Sequence, residues 1–193
     1  MLALKQALSL GSTKSSSSSW SPTDESSLEA WYQNRVGIHL EDSDVSQWDD
    51  SSSNERHMLQ ETADKRPAYE DDSGVLTFTA SAIENLQTAG QVTLEEDFVI
   101  GFAANNDGNS DIVILADNTS TEQFIKYKST SSFLINIEGN EVTLSLDSGT
   151  FGDDYIVLSR VSGEVSLYRN GSVQSGTVTF EGTCLIDAIG VRT

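Results

Sequence analysis

Three kinds of chemistry have their raw materials in this chain: paired carboxylates, histidine-assisted proton transfer and cation binding by hard oxygen ligands. A retaining glycan hydrolase needs two acids about 5 to 5.5 Å apart, which alternate positions on one strand can supply. Glu95-Glu96-Asp97 precedes an apolar run, Phe133-Leu-Ile-Asn-Ile-Glu138 carries a single acid, and Asp153-Asp154 are neighbours that a strand would point to opposite faces. These acids therefore read as solvated turn ends, and no catalytic residue is expected. The two histidines, His39 and His57, accompany no serine set between nucleophile-elbow glycines. With one cysteine they also lack the ligand spacing of a zinc site. Calcium is the cation the spacing allows, because Asn105, Asp107, Asn109 and Asp111 alternate around Gly108 between two apolar runs. Ser110 and Ala116 stand where an EF-hand places its turn glycine and its bidentate glutamate. A plain polar loop is the alternative for this segment. No cofactor is required by any of these patterns.

The elements that would position such residues are short. From Leu28 onward, apolar runs of four to eight residues alternate with turn residues, and no helical period is sustained. The runs are Leu28 to Tyr32, Val45 to Trp48, Val75 to Thr79, Asp97 to Ala103, Asp111 to Leu115 and Gln123 to Lys128. They continue with Phe133 to Ile137, Val142 to Leu146, Tyr155 to Val161, Val165 to Arg169, Thr177 to Phe180 and Cys184 to Val191. Ser162-Gly163 and Asn170-Gly171 predict two tight hairpin turns that join three of these strands. Trp31 and Trp48 fall in apolar patterns and are expected in the core, as is Cys184. Ser21-Pro22-Thr23-Asp24 predicts a single helical turn with a serine cap.

Residues 1–19 have a different character. Met1, Leu4 and Leu8 share one helical face, Gly11 stands where a helix would stop, and Ser15 to Ser19 form a spacer. A helix of ten residues holds only if its apolar stripe docks on something. The expectation is an anchoring arm on a serine tether, with Met1, Leu4, Leu8 and Leu10 as the contacts; a chain start without a role is the alternative. Residues 20–193 have the size of one sandwich domain.

Charge narrows the partners. The net charge is −19, and all 30 acids lie beyond residue 22. Such a field opposes nucleic acid and anionic membrane surfaces. Neither an 18-residue apolar run nor an export signal is found, since Lys5 interrupts the first apolar stretch. No membrane insertion is expected, and the protein is read as made in the cytoplasm.

The order aliphatic strand, Arg160, Gly turn, then Val165-Ser-Leu-Tyr-Arg-Asn-Gly171 resembles the concanavalin A-like lectin/glucanase superfamily in its laminin-G-like branch. Leu28-Glu-Ala-Trp31, Val45-Ser-Gln-Trp-Asp-Asp-Ser51, Asn54, His57, Arg66-Pro-Ala-Tyr69 and Leu76-Thr-Phe78 extend the resemblance over nearly all of residues 20–193, as in tailed-phage virion proteins. Two departures stand out. Ser52-Ser53-Asn54-Glu55 replaces a glycine-rich turn, leaving Asn54 as the residue suited to a left-handed backbone. The sequence also ends just after Ile189-Gly-Val-Arg192, where related domains add a further strand, so an open edge is expected there, covered by a neighbouring subunit or by the N-terminal segment.

The resemblance implies an all-β, two-sheet antiparallel jelly-roll sandwich. It implies a non-enzymatic component of a virion surface, a capsid decoration or appendage, held by the arm to a capsid or other virion protein and associating with further copies of itself. The alternatives are a module that binds a cell-surface glycan and, lacking its acid pair, a glycan hydrolase. Glycan contact would draw on Tyr69, Tyr127 and Tyr168. Calcium at a loop rim, here Asn105 to Asp111, is common in laminin-G-like domains.

Overall fold

A computed structural model describes residues 20–105 and 111–190, together with the backbone of residues 2–5. Seventeen strands form in chain order: β1 (Leu2–Lys5), β2 (Leu28–Tyr32), β3 (Ile38–Glu41), β4 (Asp44–Trp48), β5 (Met58–Leu59), β6 (Ala68–Glu70) and β7 (Val75–Thr77). There follow β8 (Asn85–Leu94), β9 (Phe98–Ala104), β10 (Ile112–Ala116), β11 (Gln123–Ser129), β12 (Ser132–Ile137) and β13 (Asn140–Ser145). The last are β14 (Asp154–Val161), β15 (Glu164–Arg169), β16 (Ser172–Thr179) and β17 (Cys184–Gly190). Three single turns of 3₁₀ helix are the only helical pieces among the described residues, and none is long enough to cross a membrane. The first, Pro22–Asp24, carries the expected cap, with Thr23 N–H donating to the Ser21 hydroxyl and Ser21 N–H to Asp24.

The strands make two antiparallel sheets, a β-sandwich. The six-stranded sheet runs β16-β15-β14-β9-β1-β2, and the eleven-stranded one runs β13-β12-β11-β10-β17-β8-β5-β4-β6-β7 with β3 beside β4. Strict alternation decides which side of each strand is inside. On β14, Ile156 and Leu158 are buried, and on β9 Ile100 and Phe102; they meet Leu115, Ile125, Phe133 and Ile186 of the larger sheet in one core. Both expected hairpin turns form, with φ of 51° and 80° at Ser162-Gly163 and 49° and 83° at Asn170-Gly171.

The ends of the chain depart from expectation. Leu2–Lys5 is a strand, not the start of a helix, and lies between β9 and β2 with Ala3 opposite both Gly101 and Trp31. Leu4 of the expected arm is thus a strand position opposite Ala30 and Ile100, while Met1, Leu8 and Leu10 lie outside the described residues. Backbone pairing on two sides outweighs a weak local preference for helix. The edge expected at β17 is not open either, because β10 and β8 flank it. The vacancy that the N-terminal segment fills is in the opposite sheet.

The outward side of the six-stranded sheet is set by the same alternation. It presents Tyr155, Val157, Ser159 and Val161 on β14, and Glu164, Ser166 and Tyr168 on β15. β9 contributes Val99, Gly101 and Ala103, and β2 contributes Glu29 and Trp31. Trp31 is therefore half-buried on this face rather than in the core, whereas Trp48 is in the core as expected.

If β1 completes the sheet, Ala3→Pro removes a ladder donor and lowers stability by about 1–3 kcal/mol. Ala3→Ser leaves the ladder intact and shifts it by less than about 0.5 kcal/mol. Urea denaturation of the full chain measures both, and equal stabilities would remove β1 from the sheet.

Candidate functional site

The glycan candidates separate. Tyr127 is 2% exposed on β11, its ring stacked on Phe133 at 4.7 Å and against Phe151 at 5.0 Å. Burial raises its hydroxyl pKa, and the nearby Asp154 adds to the rise. No sugar can reach it, which corrects the expectation from sequence. Its parity with Gln123 and Ile125, both buried, was the signal for an inward position. Tyr69 is half-buried on β6, at the far end of the larger sheet from Tyr168 on β15, so the three tyrosines form no common surface. What does lie near Tyr168 is Tyr155, 64% exposed, with Val157 and Val173. Neither Tyr155 nor Trp31 was expected on this face.

Of the proposed calcium ligands, Asp107 and Asn109 lie outside the described residues. The Asn105 amide donates to Asp153 at 2.5 Å, and Asp111 pairs with Lys126 at 3.0 Å. Among the described residues, no group of three or more His, Cys, Asp or Glu is placed to hold a metal.

The two histidines converge on one carboxylate. Asp49 accepts from His39 Nε2 at 2.9 Å and from Gln47 at 2.5 Å, and His57 Nδ1 is 3.6 Å away. Slight burial would raise the Asp49 pKa, but these partners hold it below the usual carboxylate range. His57 Nδ1 accepts from Asp50 N–H at 3.1 Å, so the ring serves the backbone. Asp50 in turn collects Trp31 N–H, Ser52 N–H and Arg56 N–H, which fixes the loop that follows. In that loop Glu55, not Asn54, takes the left-handed backbone, at φ 53°. The Asn54 amide instead donates to the Leu28 and Glu29 carbonyls and staples the loop to β2. Beside His39 lies a polar groove of about 430 Å³ reaching Gln60 and Arg66. Its cation is spent, since Arg66 pairs with Glu41 at 2.7 Å and donates to the Gln60 carbonyl.

Two buried acids come closer to hydrolytic chemistry than any the sequence suggested. Asp117 follows β10 and Asp187 lies on β17; burial, then the Asp117 charge, pushes the Asp187 pKa up. Both are committed to backbone closure: Asp117 accepts from Thr119 N–H and from Gln91, and Asp187 accepts Asn118 N–H at 2.7 Å. Asp154 is the opposite case. It is 5% exposed, not a solvated turn end, and it accepts from Arg169 Nε, Gly152 N–H and Asn170. Burial alone would raise its pKa, but those three donors hold it below the usual range.

The two acids should then act oppositely on stability. A depressed folded-state pKa contributes stability above the unfolded value of about 3.9 and loses it as pH falls; a raised one favours the fold at low pH and costs stability as pH rises. Asp154→Asn is expected to cost about 1–2 kcal/mol at pH 7, fading below pH ~3. Asp187→Asn, which keeps the acceptor for Asn118, gains stability at pH 7 and little in acid. Guanidinium melts of both variants across pH 3 to 8 measure this, and a common sign at pH 7 would refute the assignment.

No protein-family model matches this chain, and no curated protein sequence matches it.

Proposed function

We propose that this chain is a non-enzymatic surface component of a virus particle, a decoration or appendage domain, as the concanavalin A-like resemblance of its hairpin and Trp-containing segments implies. One observation carries the reading: the buried charged side chains are spent on fastening loops. Asp50, Asp117, Asp154 and Asp187 each accept backbone N–H groups, and Arg160 donates to three backbone carbonyls. Chemistry needs charged groups held toward a substrate, whereas these are turned toward the chain itself. Rigidity of this kind suits a domain that must outlast exposure outside a cell. The apolar residues Leu8 and Leu10 are the arm positions assigned to a neighbouring virion protein, with Leu2–Lys5 joining the arm to the sandwich.

Immunogold microscopy with antibody against the full chain tests this directly. The expected result is label on the exterior of intact particles from the source, reduced when Leu8→Ser and Leu10→Ser are combined. Label confined to particle-free material would overturn the reading.

A further inference from the structure

The face formed by the outward side of β14, β15, β16, β9 and β2 is out of keeping with the rest of the chain. The protein carries 30 acids against 11 basic residues, yet among the described outward side chains only Glu29 and Glu164 are charged. Glu29 is neutralised by Arg56 at 2.9 Å, and Glu164 sits beside the turn at one end. Between them the surface is Val, Ser, Thr and Tyr, with Tyr155, Val161 and Val173 all more than half exposed.

Its relief has two halves. Tyr155, Tyr168 and Val173 make a ridge over β14 to β16. Next to it, Ala103 lies opposite Tyr155 and Gly101 opposite Val157, so β9 offers a shallow trough that continues through the register position of Ala3. A ridge beside a trough on one flat face complements itself after a twofold rotation, the condition for an isologous contact.

We propose that this face packs against the same face of a second copy, with Tyr155 of one copy over Ala103 and Gly101 of the other. Charge selects this occupant. Two chains of −19 repel wherever their acidic surfaces meet within a Debye length of about 8 Å, so two copies approach best through the face poorest in acids, on which Lys5 also holds a register position opposite Val99. Sheets pack face to face at a spacing of about 10 Å, which Tyr against Gly and Ala fills. Six strands at about 4.8 Å and some seven residues at about 3.3 Å give a footprint of about 670 Å² per copy. That is below the roughly 800 Å² per partner of a standard interface, so the dimer is weak and forms where copies are concentrated. A glycan is less well served: the Asn170 amide beside Tyr155 already accepts from Tyr155 N–H and donates to Asp154. The proposal extends the reading above, but its test needs no particle, so the two fail separately.

Sedimentation equilibrium of the full chain is the test. A monomer–dimer equilibrium is expected that tightens as NaCl rises from about 0.05 to 0.5 M, because salt screens the repulsion. Tyr155→Glu weakens it at least tenfold, about 1.4 kcal/mol, while Val75→Glu on the far end of the other sheet leaves it unchanged. Ala103→Arg alone also weakens it, and mixing it with Tyr155→Glu restores dimers of the mixed pair. A chain that stays monomeric at several hundred micromolar, or dimers indifferent to Tyr155→Glu, would overturn the proposal. So would a monomer whose binding to a glycan array is lost in Tyr155→Glu.

Discussion

The sandwich hangs on one buried cation. Arg160, 3% exposed on β14, donates Nε to the Glu96 carbonyl at 2.5 Å and its two other nitrogens to Glu95 and Gly182 carbonyls at 2.6 Å. Glu95 and Glu96 lie where the chain leaves β8 of the larger sheet for β9 of the smaller; Gly182 lies where it returns from β16 to β17. One guanidinium thus holds both crossings at one end of the sandwich. It stacks over Phe98 at 4.7 Å and Phe180 at 5.5 Å, so the charge is met by carbonyl dipoles and ring faces. Lysine could not replace it, since an ammonium lacks the planar fork that reaches three separated acceptors. Burial lowers the Arg160 pKa, and burial pushes the neighbouring Cys184 thiol up to about 12, against the pull of the arginine charge. Cys184 is therefore core packing with little nucleophilic character.

Arg160 also explains which parts of the fold were legible in sequence. The segment Tyr155 to Gly171 combines strict alternation, an arginine at an inward parity and two turn dipeptides, and each signal agrees with the others. Most other strands from Leu28 to Gly190 fall within a residue or two of the apolar runs. β8 was missed because Ala89-Gly90-Gln91 breaks its alternation, and the three exposed residues there divide Leu86 from Val92 and Leu94. β1 was misread because Met1, Leu4 and Leu8 suit a helix, and nothing local to four residues announces that Leu4 has partners 26 and 96 positions away.

The site residues were harder for a related reason. Parity could have placed Tyr127 inside, but the exposure of Tyr155 and Trp31 depends on which face of a sheet a second layer covers, a long-range fact. Asp154 looked like a turn-end acid because its partner Arg169 is fifteen residues on, across the Ser162-Gly163 hairpin. The turn that positions the pair was readable; the pair was not.

Charge and topology then meet on a single surface. Most acids of this chain lie in loops and at strand ends, where water solvates them, and the larger sheet wraps one side of the core with eleven strands. The smaller sheet is left with an outer face that evolution could have made as acidic as the rest at almost no cost in stability, since exposed positions accept charge freely. It carries Val, Ser, Thr and Tyr instead. Large apolar side chains held in water on a flat sheet are an aggregation liability unless something of matching shape covers them. In a protein of such net charge, the proposed contact would turn that liability into a specificity device, because repulsion disfavours orientations that bring acidic surfaces together.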